Sequence, residues 1–550
     1  MYPRIKKSGK YEYLQICESR REGEKVRQRV IGTLGRLDRL HAKGEVENLV
    51  RSLAKYSDRA LLVLSGRSDP KAVTYKIGPG LIFERLWRRT GIKQVIDDLL
   101  LNRNYSFRVE RAIFLTVLHR LFISGSDRFA DRWRRDYRID GVDRIKLHHI
   151  YRAMAWLGEE LSDPAKRDAT PFSPRCTKDL VEEGLFSSHR DLFSSFDLVF
   201  FDTTSIYFEG AGGATLGNRG NSKDRRSDLK QMVVGVTLDD TGRPICCEMW
   251  PGNTADIKTL IPVTDRIRKR FHVQNFCVVA DRGMISEDTI NQLESPERKL
   301  SYIFGVRMRK VKKIRAAIGE HQDLTTYKEV YPESSASKAP APLRVKEVYV
   351  NSRRYILCYN SKQARKDALD REAIVEHLEE RLKSNSKSLI GNKGYRKYVK
   401  MARDTVELDK EKVSAEAIFD GKWVLQTNLD WPAEQIALKY KELWQIEHAF
   451  RDIKSLLETR PVYHKLDETI RGHVFCTFLA LILKKELENC LEKSGYNFEW
   501  TDIKQDLSSL QETIITENDK ALAIRSECQG VCGSVFKAAK IALPPTIREV

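Results

Sequence analysis

No apolar stretch in this chain of 550 residues is long enough to cross a bilayer. The longest covers 474–483, between His473 and Lys484, where about 20 residues are needed. The N-terminus has basic residues at Arg4, Lys6 and Lys7 but no apolar core behind them, so no secretory leader is read there. Acidic charge is in short supply: Asp and Glu number 77 against 96 Lys and Arg, a net charge of +19. That balance favours a polyanionic partner, although a merely solvated basic surface would give the same count. Ordered cysteine motifs are missing as well. The ten cysteines are scattered; Cys246-Cys247 is a vicinal pair, and Cys528/Cys532 has no nearby His or second pair. Neither fits a zinc template, and buried free thiols in a reducing cytoplasm are expected.

What is present reads as about three or four domains. Residues 1–65 form a small β-containing module. Within it 11–17 and 25–32 alternate as strands do, and 19–23 is placed to turn a hairpin. Lys25, Arg27 and Arg29 would share one face, either lying on phosphates or serving as a solvated edge. Residues 75–165 read as all-helical. Gly78-Pro79-Gly80 marks a start, Leu81, Phe83, Leu86 and Trp87 keep helical spacing, and 111–123 is expected to be amphipathic. Cations interleave with aromatics over 132–138, which suits either a helical DNA reader or a bundle solubilised by arginine. The proline-bearing stretch 164–174 is a plausible linker.

From 195 the period changes. Strands are expected at 196–201, 231–238, 244–250, 275–280 and 301–306, with helices over 256–271 and 286–294. This order predicts an α/β ribonuclease-H-like mixed sheet, with 195–306 as its first part. Residues 307–430 read as a β-rich insertion: a basic cluster at 309–315, a loop at 333–342, a hairpin at 343–360, a helix at 361–382 and a strand at 417–428. Residues 431–490 complete the domain that begins at 195, with one helix from Pro432 to about Leu457 and an apolar helix over 467–490. The C-terminal region, 491–550, mixes helix and strand.

Three acids stand out against this frame. Asp202 and Asp281 each follow an apolar strand, and Glu447 interrupts an aromatic-rich helix. A carboxylate at a buried strand end is partly desolvated, which costs several kcal/mol unless a counter-charge is near. Three such groups in one site would repel one another, and a hard divalent cation removes the problem. In a basic chain that points to metal-dependent phosphodiester chemistry. At about 100° per residue, Tyr440, Glu447, Arg451 and Lys454 share one stripe of a continuous helix. Glu447 would ligate metal there while Arg451 and Lys454 hold phosphates; a surface ion pair between Glu447 and Arg451 is the plainer alternative. Trp444, Ile446, Phe450 and Ile453 suggest that the helix packs on a core.

The run 440–454 resembles the Y-x-x-R-x-x-x-E-x-x-x-x-x-x-K signature of bacterial insertion-sequence DDE transposases. Tyr440, Glu447 and Lys454 match in spacing, while Leu443 stands at the arginine position and Arg451 is the candidate substitute. Asp202-Thr203-Thr204-Ser205, Ala280-Asp281-Arg282-Gly283-Met284, the segment 222–231, Pro251-Gly252-Asn253-Thr254 and 460–464 are also similar to this group, and 166 residues separate Asp281 from Glu447, room for its β-rich insertion. The resemblance implies a transposase that binds element ends on double-stranded DNA, cuts them and joins them to target DNA. It implies Asp202, Asp281 and Glu447 as catalytic metal ligands for two Mg²⁺ ions, with Mn²⁺ as a substitute. Asp202 would bridge the two ions. Lys223, Arg225, Arg282, Tyr440, Arg451 and Lys454 become candidate DNA contacts. Trp423 either stacks an extruded base or packs in the core. A dimer on DNA and a bacterial cytoplasmic, nucleoid-associated location follow from the same likeness. The rival readings are an inactive, transposase-derived DNA-binding protein and a nuclease of this fold that only cuts.

Overall fold

The computed structural model describes residues 2–22, 25–54, 71–123, 125–162, 174–188, 198–331, 342–384, 398–402, 405–517 and 520–550. The expected linker over 164–174, the loop over 333–342 and the first two residues of the 196–201 strand lie almost wholly outside these. The chain divides into two compact units, 1–78 with 505–533 and 542–550, and 79–504 with 534–541.

In the first unit, β1 (Tyr2–Ser8), β2 (Tyr11–Glu22) and β3 (Lys25–Arg36) form an antiparallel meander, followed by helices Leu37–Ala42 and Glu45–Ala54. Residues Ser19 to Glu22, placed in the expected turn over 19–23, instead belong to β2, paired with Gln28 to Lys25; Gly23 lies outside the described residues. Side chains of Lys25 and Arg27 lie outside the described set; Arg29 is exposed. A second sheet joins distant parts of the sequence. It holds β4 (Lys71–Lys76) against β16 (Gln511–Glu517), then β17 (Lys520–Arg525) and β18 (Ile547–Glu549).

The second unit opens within helix Gly78–Arg89 and continues with helices Ile92–Leu100, Val109–Phe122, Asp127–Trp133, Leu147–Gly158 and Thr177–Ser188. Phe83, Leu86 and Trp87 are fully buried, as their spacing requires. Helix Val109–Phe122 is not the amphipathic element expected over 111–123: every residue in it is buried. Its arginines are satisfied internally. Arg111 pairs with Glu84 at 2.7 Å and with Glu110, and Arg120 donates to the His473 carbonyl at 2.8 Å. That carbonyl belongs to helix Asp467–Lys493, which crosses helix Leu147–Gly158 at bare backbone. A Cβ on Gly472 would lie 1.9 Å from the Met154 oxygen, and one on Gly158 1.9 Å from the Glu468 oxygen.

The large sheet has nine strands, in the order β10-β11-β12-β15-β9-β8-β5-β6-β7. Strands β5 (Leu198–Tyr207), β6 (Gln231–Leu238) and β7 (Pro244–Pro251) are antiparallel, while β8 (Cys277–Ala280) and β9 (Ser301–Gly305) run parallel to β5 and to each other. The first strand at the centre, two antiparallel strands on one side and two parallel ones on the other give the ribonuclease-H-like mixed sheet. Helix Leu260–Phe271 covers one face, seating Leu260, Val263 and Ile267 against Phe201, Val233 and Val278. The segment 307–430 does not break the sheet. Its strands β10 (Lys328–Val330), β11 (Leu343–Val350), β12 (Arg353–Asn360) and β15 (Lys422–Thr427) continue it, with β15 antiparallel to β9. Among the described residues of this segment, the pair β13 (Val399–Ala402) and β14 (Thr405–Leu408) stands apart.

A buried ion network ties helix Thr177–Ser188 to this sheet. Arg270, wholly buried, reaches Glu182 at 2.5 Å, Glu183 at 2.8 Å and Glu248 at 3.2 Å, and Arg266 reaches Glu248 at 2.9 Å and Asp179 at 3.1 Å. Burial would raise the Asp179 carboxyl, but Lys178, Arg270 and Arg266 hold it well below the usual range.

Candidate functional site

Strand register puts Asp202 and Asp281 abreast. Phe200 pairs with Val279 across the parallel β5–β8 ladder, and each acid lies two residues further along. Alternation along β5 buries Phe201 in the core and turns Asp202 to the other face. The Thr203 N–H donates to Asp202 Oδ1 at 2.7 Å. Burial pushes the Asp202 carboxyl up to about 6; the nearby Lys223 opposes this, and the charges of Asp281 and Asp256 add to it. Asp281 accepts a 3.2 Å hydrogen bond from the Tyr440 hydroxyl, whose own ionisation is pushed well up by burial and then by that carboxylate. Gly305 at the end of β9 makes room for this hydroxyl: a Cβ there would lie 2.3 Å from the Tyr440 oxygen.

Glu447 arrives differently from expected. The single helix from 432 to 457 is in fact three pieces: Ala433–Lys441, Trp444–Arg451 and a wide π-type turn, Asp452–Leu456. Bonds spanning three residues rather than four, from Leu443 N–H to the Tyr440 carbonyl and from Ile446 N–H to the Leu443 carbonyl, tighten the first junction. The uniform stripe of Tyr440, Glu447, Arg451 and Lys454 is therefore broken, since each junction changes the angular step. Glu447 is exposed rather than desolvated, and among the described residues it forms no ion pair with Arg451, which is exposed too. Ile446, Phe450 and Ile453 pack inward, but Trp444 is 53% exposed.

Asp281 and Glu447 share a cleft of about 910 Å³ with Arg282, Trp423, Tyr440, Lys441 and Trp444. Trp423 is half-buried in this wall rather than in the core, with the Lys441 ammonium 6.0 Å from its ring centre. Arg282 and Arg225 are exposed, and Arg225 sits on a left-handed backbone at φ 58°. Lys454 does not face outward for phosphate. Its ammonium holds Asp224 at 2.7 Å, and Arg460 pairs with the same carboxylate.

Three residues near the site escaped the sequence reading. Asp256 accepts from the Thr203 hydroxyl at 2.7 Å and lies 3.3 Å from the Lys223 ammonium. It follows β7 by a few residues, the same acid-after-strand signal that marked Asp202 and Asp281. Asp224 and Arg460 lie in the segments 222–231 and 460–464 that the resemblance picked out, but nothing local marked them as partners of Lys454 or of each other.

The three acids do not close into a tight cage. Among the described residues, the set of His, Cys, Asp and Glu ligand atoms lying mutually within 4.8 Å is Asp127, His464 and His473. That set is already satisfied from within. His464 Nε2 lies 3.2 Å from Asp127, Arg120 lies 2.8 Å from His473 Nδ1, and His473 Nε2 lies 3.2 Å from the Thr459 carbonyl. Burial alone would raise the Asp127 carboxyl; the His464 bond and the Arg120 charge bring it to about 2. An arginine occupies the position of a cation there.

Residues 194–483 match the family model described as the transposase DDE domain, and residues 3–68 match that of the IS1634 family transposase N-terminal domain. No curated protein matches. Among solved structures, the chain is similar to a cryo-EM structure of the piggyBac transposase synaptic complex with hairpin DNA, at 11% identity over 80% of this chain and 82% of that one, with a TM-score of 0.34. Among the described residues no helix is long and apolar enough to cross a membrane.

Proposed function

The chain belongs to the DDE transposase family, and on that premise we propose that it binds the ends of an insertion sequence, cleaves them and joins them to target DNA, using Asp202, Asp281 and Glu447. The observation that carries this reading is the in-register pair Asp202 and Asp281 at adjoining strand ends, with Glu447 across the same cleft from Asp281. Domains of this family generally use divalent metal ions. The residues fit such ions: the donor set is all carboxylate oxygen, which suits Mg²⁺. Asp202 already draws a cation, with the Lys223 ammonium 3.8 Å away. Two ions held by Asp202, Asp281 and Glu447 would supply an activated water or 3′-hydroxyl and neutralise the leaving oxygen.

The chain's own residues do the rest. Tyr440 fixes the rotamer of Asp281 through its hydroxyl. Trp423, Trp444 and Lys441 form a wall on which a base or sugar-phosphate can lie. Arg282, Arg225 and Arg451 are exposed cations available for phosphates. Lys454 acts instead through Asp224, steadying the segment that carries Lys223 and Arg225. Joining two ends requires two copies on DNA, so a dimer forms with the substrate. Labelled end DNA with Mg²⁺ tests the reading: the wild type cuts and joins, and the Ala variants of Asp202, Asp281 and Glu447 bind without cutting. Near-normal cleavage by any one variant removes that residue from the site, and binding without cutting by the wild type removes the activity.

A further inference from the structure

Lys223 sits between two carboxylates but is tethered to one side. Its ammonium donates to the Thr203 carbonyl at 2.5 Å and meets the Thr203 hydroxyl at 2.9 Å. It lies 3.3 Å from Asp256 Oδ2 but 3.8 Å from Asp202 Oδ1. The Thr203 hydroxyl in turn donates to Asp256 Oδ1 at 2.7 Å. Both contacts to Asp202 fall on Oδ1; among the described residues Oδ2 accepts no hydrogen bond. One oxygen of Asp202 is thus left for a cation, and the competing ammonium is held off it.

We propose that Asp256 is a positioning residue that, with Thr203, parks the Lys223 ammonium away from Asp202 so that a divalent cation can take Asp202. This rests on the reading of Asp202 as a metal ligand. The physical reason is competition. A lysine ammonium is a compact point charge on a flexible stem. Without Asp256 its nearest carboxylate is Asp202, a direct ion pair forms, and any incoming metal must break it. With Asp256 in place the positive charge stays close enough to limit repulsion among Asp202, Asp281 and Asp256, yet outside the ligand position. Asp256 touches neither metal nor DNA in this scheme.

Mn²⁺ binding to the full chain without DNA, followed by the electron paramagnetic resonance of free Mn²⁺, tests it. D256N is expected to weaken the Asp202-dependent binding about tenfold or more, the range found when partners behind metal ligands are lost. K223M is expected to bind at least as tightly as the wild type, and D256N/K223M is expected to return to within about threefold of it, since no ammonium remains to be parked. Unchanged binding in D256N, weaker binding in K223M, or a double variant as weak as D256N each overturns the proposal. In the last case Asp256 would act on the metal or on the fold, not through Lys223. Should D256N fail to fold, the K223M result decides. D202N separates the two levels: if it binds Mn²⁺ as the wild type does, the assignment of Asp202 as a ligand fails, whatever Asp256 does.

Discussion

Replacing Asp202 by Asn should stabilise the metal-free protein while ending its chemistry. The wild-type carboxyl is raised from an ordinary 3.8 to about 6, chiefly by burial. Keeping it ionised at pH 7 therefore costs the fold about 3 kcal/mol, at about 1.4 kcal/mol for each pH unit between those values. Asn keeps the acceptor for the Thr203 N–H and removes the charge. The Lys223 attraction is already contained in that net value, so a gain of up to about 3 kcal/mol is expected. The sign fixes the pH profile. Between pH 3.8 and about 6 the folded wild type holds a proton that the unfolded chain has released, so its stability rises as pH falls through that window. The advantage of the Asn variant is full above pH 6 and gone near pH 4. Other carboxylates cancel in the difference between two chains that differ at one position. Thermal melts in a chelator at pH 7, 5 and 4 measure this, and a repeat with Mn²⁺ should raise the wild type alone. A variant that melts below the wild type at pH 7, or an advantage that does not shrink toward pH 4, refutes the electrostatic account of Asp202.

Tyr440→Phe removes the hydroxyl bound to Asp281 and should slow end cleavage about 10–100-fold with end binding retained, as measured across a Mg²⁺ titration. Arg451→Gln should lower the salt dependence of end binding by about one ion, read from the slope of log affinity against log salt. Arg270→Met removes the buried cation shared by Glu182, Glu183 and Glu248, leaving them Lys178, Arg175 and Arg266 respectively, and should destabilise by about 3 kcal/mol, seen as a lower denaturant midpoint.

Much of the catalytic frame was written in local pattern. Short apolar runs ended by acids located β5, β8 and the pair Asp202 and Asp281, because a buried strand admits a charge only where it leaves the core. The hairpin of β11 and β12 was also legible, with its turn at Asn351 and Ser352, both at positive φ. Less accessible was anything set by a partner distant in sequence. Helix Val109–Phe122 carries arginines that suggest a wet face, yet ion pairs from Glu84 and Glu110 and the backbone of Asp467–Lys493 bury them all. The pairing of β4 with β16 joins segments more than 400 residues apart, and no periodicity in either strand announces it.

The sequence by itself determined the family, the basic character and the order of strands and acids, since these depend on residue type and short-range spacing. Tertiary structure alone decided what each charged side chain faces. A π-type turn moved Lys454 onto Asp224, a shortened junction left Glu447 exposed, and a threonine drew Lys223 and Asp256 together beside Asp202. Charge acts through space at a few ångströms, so its partners are fixed only when the chain has folded back on itself.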